Sequence, residues 1–294
     1  MQNKTQLFMV ATPIGNLEDA SPRALRIFDE VDTILAEDTR VTRKLLNHFD
    51  IKTPLERCDE HVISSKSDAL VERMSSGERF AFVSDAGMPG ISDPGTVLVD
   101  KALDQGIKVE VIPGPSAVIT ALAASGLGID NFYFAGFLPR KASQRQQALQ
   151  ALSFYAGALV FYESPLRLLA TLEALAQAFP NRKALVAREL TKLHEELYRD
   201  DLPKLFDEFS KRESIKGEIV IVVDALRDHS GRALSPQEAY EDFISRLNSQ
   251  ILPEDPLEFA SQLPEDLKTS EKAKQLAQAY NISRKEAYDL LVGK

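Results

Sequence analysis

The chain is poor in the side chains that build disulfides and metal centres. Among its 294 residues there is one cysteine, Cys58, and no tryptophan. A single cysteine excludes an internal disulfide and a cysteine metal cluster. The four histidines lie far apart in the sequence and show no metal-ligand spacing. The composition therefore predicts a metal-free protein of a reducing compartment, the cytoplasm.

Long apolar runs are also missing. No run approaches the roughly 20 residues that a membrane-spanning helix needs. The amino-terminal segment MQNKTQLFMVATP has a shorter apolar core than a secretory signal. The net charge of −9 argues against indiscriminate binding to nucleic acid. We therefore expect a cytoplasmic protein that does not bind membranes.

The glycine-rich segment VSDAGMPGISDPG, residues 83–95, contains no lysine. It matches neither the Gly-x-Gly-x-x-Gly fingerprint of dinucleotide sites nor a Walker loop, which ends in Gly-Lys-Ser/Thr. A similar loop, TPIGNLED, follows the first strand-like segment, and PGPSA follows KVEVIP. The carboxyl ends of parallel strands line the ligand crevice of an open α/β sheet. These loops indicate a cleft whose main chain contacts a nucleoside, although each taken singly also fits a tight turn.

Strand-like segments alternate with amphipathic helices over residues 1–112, which predicts an α/β domain with a parallel sheet. A second α/β domain with a more mixed sheet is expected over 113–225. Residues 226–294 are predicted to form a polar linker and a helical tail. In the tail, Ser283 and Glu286 form a capping-box pattern at the start of a helix. The pattern fits a helix-turn-helix, and it equally fits a hairpin that serves packing alone.

Two segments carry local positive charge despite the acidic total. The interval from Asn131 to Tyr162 has no acidic residue and contains Arg140, Lys141 and Arg145. Residues 268–285 hold five basic residues and one acid. Each segment is either a surface that contacts phosphates or a solvated face of the fold.

Eight short segments occur in a characteristic order: TPIGNLED, AEDTR, SDAGMPGISDPG, PGPSA, GFLP, FYES, ARELTK and KGEIVIVV. Together they resemble the bacterial small-subunit ribosomal RNA methyltransferases of the RsmI type, a branch of the tetrapyrrole (corrin/porphyrin) methylase superfamily. The resemblance covers about residues 6–224. It implies two α/β domains with a cofactor cleft between them and a small helical carboxyl-terminal domain.

The resemblance also implies an activity. Such a protein transfers a methyl group from S-adenosylmethionine to the ribose 2′-hydroxyl of a decoding-region cytidine in 16S rRNA, and it acts as a homodimer. By resemblance, the cofactor positions are Pro13, Asp85, Gly87, Pro89, Ile91, Ser116, Ala117, Tyr162, Leu190 and Gly217. Asp85 equally fits a turn cap, and for Asp93 a helix cap is the preferred interpretation. A branched residue at Gly87 or Gly90 is expected to weaken cofactor binding more than folding.

Methyl transfer to a ribose hydroxyl benefits from a group that accepts the hydroxyl proton. The candidate catalytic residues are Asp38, Glu163, Glu189 and Lys192, together with Glu37. Alternatively, Asp38–Arg40 and Glu189–Lys192 are structural ion pairs. Phosphate contacts are predicted for a set of basic residues, Arg40, Arg43, Lys44, Arg140, Lys141 and Arg145.

Two departures from the family pattern stand out. Met88 replaces the usual threonine of Gly-Thr-Pro, which a loop that binds through its backbone tolerates. In CDEHV, Asp59 and Val62 stand at positions where members tend to have histidine or asparagine, so any substrate role of that loop is in doubt. Two alternatives remain open: a small-molecule tetrapyrrole methylase, which shares the cleft, and a non-catalytic ribosome-binding protein.

Overall fold

The computed structural model describes residues 5–91, 95–228, 230–250, 255–264, 267–280 and 282–292. Asp93, predicted to cap a helix, lies outside the described residues. The chain forms two compact units, one of Met1–Ser153 with Gly157–Ala233 and one of Phe154–Ala156 with Leu234–Lys294. Both sheets belong to the first unit.

The first sheet is parallel throughout, as the alternation of strands and helices predicted. Its strand order is β3-β2-β4-β1-β5. The three central strands are buried on both faces, which explains their continuous apolar runs. The strands are β1 (Leu7–Val10), β2 (Thr33–Ala36), β3 (Leu55–Arg57), β4 (Phe80–Val83) and β5 (Val109–Ile112).

Helices cover both faces of this sheet. Helix α1 begins as its sequence predicted, with the Ser21 Oγ accepting a hydrogen bond from the Ala24 N–H and Pro22 in the first turn. Cys58 is fully buried beside β3, among the apolar residues of the sheet. The helices are α1 (Pro22–Glu30), α2 (Thr39–His48), α3 (Glu60–Ser75) and α4 (Thr96–Asp104), with a short 3-10 helix at Leu17–Asp19.

The second sheet is mixed, as expected, with strand order β6-β7-β10-β8-β9. Only β6 and β7 pair in parallel, and the other pairs are antiparallel. Its strands are β6 (Phe132–Phe137), β7 (Ala158–Glu163), β8 (Lys183–Arg188), β9 (Glu196–Asp201) and β10 (Ile219–Val223). Its helices are α5 (Ala117–Ser125), α6 (Ala142–Ala151), α7 (Leu168–Ala178) and α8 (Leu202–Ser210).

The carboxyl-terminal unit is helical, with α9 (Pro236–Gln250), α10 (Pro256–Gln262), α11 (Thr269–Tyr280) and α12 (Arg284–Val292). Small side chains and Leu276 form its core. The predicted capping box is confirmed: the Ser283 N–H donates to the Glu286 carboxylate at 2.8 Å, and the Glu286 N–H donates to the Ser283 Oγ at 3.2 Å. In the described part of the chain, no helix combines the length and the apolar character needed to cross a bilayer.

Candidate functional site

Three loops meet at the carboxyl ends of the first sheet. Thr12 and Gly87 exchange two backbone hydrogen bonds of 2.9 and 3.1 Å, which join the loop after β1 to the loop after β4. A Cβ at Gly87 would lie 3.7 Å from the Pro115 carbonyl oxygen of the loop after β5. The three loops that the sequence singled out are therefore in mutual contact.

The backbone conformation of this junction explains its glycines. Gly87 has a φ of +77° and Gly90 a φ of +84°, which favour glycine strongly. No described atom lies within 4 Å of a Cβ built on Gly90. A valine at either position would strain the backbone, so such a change is expected to lower folding stability as well as cofactor binding.

The corresponding edge of the second sheet is built from strands of opposite direction. Phe137 pairs with Tyr162 at the carboxyl ends of β6 and β7. Ile219, at the amino end of β10, pairs with both Glu163 and Arg188. The same edge of the sheet therefore contains the loops after β6, β7 and β8 and the segment before β10. This edge carries the residues that the sequence assigned to the site in this sheet, Tyr162, Glu189, Leu190, Lys192 and Gly217.

Loops of the two sheets touch at Gly15. A Cβ there would lie 2.5 Å from Cγ of Lys192 and 2.6 Å from Oγ1 of Thr191. The next residue, Asn16, donates its backbone N–H to the same Thr191 oxygen at 3.1 Å. Only a glycine lets these two segments approach so closely, and this joins the two strand edges into one region.

The segment of residues 189–192 is strained and densely bonded. Glu189 and Thr191 have φ of +53° and +64°, which few residues other than glycine adopt. The Thr191 N–H donates to the Glu195 carboxylate at 2.6 Å. A Cβ at Gly217 would lie 2.4 Å from the Glu189 side chain, so this glycine makes room for that carboxylate. Such strain concentrates at functional sites.

An apolar wall joins residues of both sheets. Ile14 and Leu190 are buried in one cluster of the second sheet. Ala86, Ala117 and Tyr162 pack against that cluster. Three residues assigned to the cofactor by resemblance, Ala117, Tyr162 and Leu190, are therefore brought together.

The remaining assigned positions lie on the same loops. Pro89 is buried and Pro13 half-buried, whereas Ile91 is 54% exposed. The Ser116 Oγ accepts the Ile119 N–H at 3.5 Å and caps α5.

Three carboxylates cluster where β2 and β4 end. The Asp38 N–H donates to Asp85 at 3.0 Å, and the Asp85 N–H points to Glu37 at 3.5 Å. Burial raises the pKa of Glu37, and the charge of Asp85 adds to this rise. Burial also raises the pKa of Asp85, against the hydrogen bond from Asp38. Two of the three carboxylates thus hold protons more readily than usual.

Asp38 behaves differently. It caps α2 by accepting the Arg40 N–H at 2.8 Å, and it pairs with the Arg40 guanidinium at 2.6 Å. These hydrogen bonds lower the pKa of Asp38 to about 2. Asp38 and Arg40 thus form the ion pair that the structural alternative requires.

Glu163 lies on the face of β7 opposite to Tyr162, and both oxygens of its carboxylate have hydrogen-bond partners. Its carboxylate accepts the Thr171 hydroxyl at 2.6 Å and the Ser164 N–H at 2.8 Å. The Arg167 Nε lies 3.4 Å away, and only 1% of the Glu163 side chain is exposed. Through these contacts Glu163 links β7 to α7 inside the fold.

Glu189 and Lys192 form an ion pair of 2.9 Å, the contact that the structural alternative requires. The hydrogen bond from Lys192 lowers the pKa of Glu189. Burial by itself lowers the pKa of Lys192. The hydrogen bonds of Lys192 to Glu189 and Glu218 outweigh this effect, so its pKa is raised. Neither shift suits a proton acceptor at neutral pH.

The basic residues predicted to contact phosphates are mostly exposed. Arg43 and Lys44 lie on the solvent side of α2, and Arg140 and Lys141 precede α6. Arg145 is half-buried, and its Nε has no hydrogen-bond partner among the described residues. Asp59, at one of the unusual positions, caps α3 by accepting the His61 and Val62 N–H groups at 3.0 Å each.

Comparison with known proteins places this geometry in a family. The family model for tetrapyrrole (corrin/porphyrin) methylases matches residues 6–205. A relative from Halalkalibacterium halodurans, named ribosomal RNA small subunit methyltransferase I, is 45% identical and covers 83% of this chain and 82% of its own. The chain belongs to the ribosomal RNA small subunit methyltransferase I group of the tetrapyrrole methylases. The resemblance inferred from its motifs is confirmed.

Further relatives and solved structures are similar to this chain. A relative of the same name from Pseudomonas aeruginosa is 43% identical and covers 89% of this chain and 92% of its own. Among solved structures, the methyltransferase CobJ is 21% identical with a TM-score of 0.58, covering 79% of this chain and 98% of its own. Uroporphyrin-III C-methyl transferase from Thermus thermophilus, complexed with S-adenyl homocysteine, is 16% identical with a TM-score of 0.52, covering 74% and 96%. Both structures share the fold of this methylase.

Sequence reasoning missed several features of this methylase site. Gly15 lies within the motif TPIGNLED, but its contact with Thr191 and Lys192 depends on tertiary structure. The left-handed backbone of Glu189 and Thr191 has no sequence signal, since neither is glycine or asparagine. No cluster of three or more histidine, cysteine or acidic side chains suited to a metal occurs in the described ranges.

We expect the substitution Lys192→Met to lower the free energy of unfolding by about 1 kcal/mol at neutral pH. Because the folded pKa of Glu189 lies below the ordinary 4.5, the ion pair stabilises the fold above that value. Its contribution disappears as the pH falls through the lowered pKa of Glu189. Urea unfolding of wild type and variant at neutral and acidic pH measures this difference.

Lys204→Met is the matched control, because Lys204 pairs with Asp200 and Asp201 while 64% exposed. It should leave stability unchanged at both pH values. An effect of Lys192→Met that is independent of pH would contradict the electrostatic explanation.

Proposed function

We propose that this methyltransferase transfers a methyl group from S-adenosylmethionine to the ribose 2′-hydroxyl of a cytidine in the decoding region of 16S rRNA. The names of relatives at 39–45% identity support an rRNA substrate. The contact of Gly15 with residues 190–192 carries the structural argument, because it joins the glycine-rich loops and the second sheet into one site. A small-molecule tetrapyrrole methylase is not favoured, since these relatives are named for rRNA.

The site has features that fit a nucleoside cofactor. Main-chain groups of the Thr12, Gly87 and Pro115 loops meet there, and Ile14, Ala86 and Ala117 provide apolar contact beside them. A nucleoside needs close backbone approach and an apolar surface for its base. We assign cofactor binding to these loops, with Pro13, Asp85, Gly87, Pro89, Ile91, Ser116, Tyr162, Leu190 and Gly217. When bound, the cofactor supplies an electrophilic methyl group on a sulfonium.

The protein contributes position and proton acceptance. Its residues must hold the ribose hydroxyl in line with the methyl group, and positioning of this kind supplies much of a rate enhancement. Of the candidate bases, Glu37 has the most suitable state: its pKa is raised and it is half-buried at the end of β2. Asp38, Glu163, Glu189 and Lys192 are each engaged in caps, braces or ion pairs, so we assign them the positioning of the site.

Exposed cations outside the cleft suit the RNA. Arg43, Lys44, Arg140 and Lys141 present charge to solvent, with Arg40 and Arg145 beside them on α2 and α6. We assign these residues to phosphate contacts. The helical tail would add to substrate capture through residues 268–285. We also propose a cytoplasmic homodimer that acts on the small ribosomal subunit.

The function is tested by incubating the purified protein with S-adenosylmethionine and small subunits from a strain that lacks the corresponding methyltransferase gene. Nuclease digestion and mass spectrometry then identify the modified nucleoside. A 2′-O-methylcytidine is expected. A methyl group on a base carbon or nitrogen, or none on RNA, would overturn the proposal.

We predict that Gly87→Ala and Gly106→Ala lower the thermal midpoint similarly, because both glycines have left-handed φ of +77° and +70°. Only Gly87→Ala should weaken S-adenosylmethionine binding, measured by calorimetry, by tenfold or more. Gly106 ends α4 at the opposite edge of the sheet. Equal affinities in the two variants would show that Gly87 serves the turn alone.

We predict that Glu37→Gln lowers kcat by about 100-fold or more and removes the acidic limb of its pH profile. In wild type, kcat should fall as the pH falls through the pKa of Glu37, which lies above the ordinary 4.5. Asp38→Asn is the control, because asparagine retains the cap of α2 and the pKa of Asp38 is only about 2. An unchanged acidic limb in Glu37→Gln would exclude Glu37 as the base.

We predict that the double variant Arg140→Ala, Lys141→Ala reduces the salt dependence of RNA binding. Each lost phosphate contact lowers the slope of log K against log salt by about 0.7–0.9. The control Lys108→Ala, Lys183→Ala removes two exposed charges from the opposite edges of the sheets. Filter binding over a salt series measures both slopes, and identical slopes would mean that Arg140 and Lys141 only face solvent.

A further inference from the structure

Phe137 stands out among the exposed aromatic side chains of the first unit. It is the last residue of β6, at the edge of the second sheet that carries the site, and it is 57% exposed. Single exposed apolar residues are common and need no explanation. The local backbone, however, is arranged to present this ring.

A β-bulge turns Phe137 toward one particular face. Phe134 pairs with Val160, and Phe137 pairs with Tyr162. Between these pairs, two residues of β6 lie opposite the single residue Phe161 of β7, and the register shifts between Phe134 and Gly136. Gly136 has a φ of +62°, which allows the bulge. In a regular strand, residues three apart point to opposite faces. The bulge therefore places Phe134 and Phe137 on the same face.

Ring contacts confirm this arrangement. The Tyr162 ring lies 4.9 Å from that of Phe134 and 5.8 Å from that of Phe137, measured between centroids. Phe134 and Tyr162 pack against the cluster that contains Ile14 and Leu190. Phe137 consequently extends the apolar wall of the proposed site outward, toward solvent.

A hydrogen bond and a buried side chain fix the backbone of the segment after Phe137. The Arg167 guanidinium donates to the carbonyl oxygen of Leu138, and Arg167 itself lies beside the buried Glu163 carboxylate. Leu138 is only 4% exposed. An exposed ring on so well anchored a backbone is pre-organised to bind a flat partner.

We propose that Phe137 stacks on the base of the nucleotide that receives the methyl group. This inference rests on the proposed function and names the residue that positions its substrate. A base that has left the RNA stack is held by stacking on an aromatic side chain. Arg140 and Lys141 follow Phe137 by three and four residues and are exposed, where they suit the flanking phosphates. Stacking fixes the base, and the ribose hydroxyl is thereby oriented toward the methyl donor.

The test compares Phe137→Ala, Phe137→Leu and Phe137→Tyr with wild type, with small ribosomal subunits as substrate. Loss of the ring should lower kcat/KM for subunits roughly 10- to 100-fold, in both the alanine and the leucine variant. Tyrosine keeps a flat ring and should restore most of the activity. Cofactor affinity and thermal midpoint should match wild type, because the ring is largely exposed.

Phe132→Ala is the matched control. Phe132 is 41% exposed on the same strand, at its amino end and about 15 Å away along β6. This variant should retain wild-type kcat/KM. An equal loss in Phe132→Ala would assign the effect to the strand and overturn the inference.

Further outcomes separate the two proposals. Wild-type methylation of cytidine with undiminished activity in Phe137→Ala would overturn the stacking role and leave the proposed function intact. A parallel loss of cofactor affinity in Phe137→Ala would assign the ring to the cofactor and also overturn it. Wild-type protein that transfers no methyl group to rRNA would refute the proposed function, and the stacking role with it.

Discussion

The close contact at Gly15 is the constraint on which the site depends. Two separate sheets contribute loops to it. The absence of a side chain at one position lets Thr191 and Lys192 lie against the first loop. The Thr191 oxygen then satisfies the Asn16 N–H. A methyl group added at this position would separate the glycine-rich loops from the apolar wall of the second sheet.

In the segment of residues 189–192, hydrogen bonds offset the strain of the backbone. Left-handed backbone at Glu189 and Thr191 costs free energy, on the order of 1 kcal/mol or more for each residue. The hydrogen bonds of Glu189, Thr191 and Lys192 offset that cost within a stretch of four residues. The same bonds remove Glu189 and Lys192 from the set of free acids and bases. Rigidity at this edge is therefore obtained with groups that would otherwise be candidates for proton transfer.

The architecture could be predicted from the sequence largely because β1, β2 and β4 are apolar and the loops after β1, β4 and β5 contain glycine and proline. The short strand Leu55–Arg57 escaped prediction, since it is half-exposed and two of its three residues are charged. Strand β9 escaped for a related reason: ELYRDD carries four charged side chains on an edge strand. Neither has the apolar run on which strand prediction depends.

Within the site, the loops could be predicted and the chemistry of individual carboxylates could not. The motif AEDTR presents Glu37 and Asp38 as equivalent neighbours. Tertiary structure separates them, since Asp38 faces Arg40 and Glu37 faces Asp85. The resulting pKa shifts have opposite directions. The partner of Asp38 lies within the motif, two residues away, whereas the partner of Glu37 is 48 residues away in sequence, beyond the reach of local patterns.

The single cysteine acquires a meaning from its place in the first sheet. Burial raises the pKa of the Cys58 thiol to about 11, so the reactive thiolate is scarce at neutral pH. Alkylating reagents reach this sulfur only when the sheet opens. The rate at which Cys58 is alkylated therefore depends on how often the first sheet opens. This rate measures the conformational stability of that sheet in the native, unmodified enzyme.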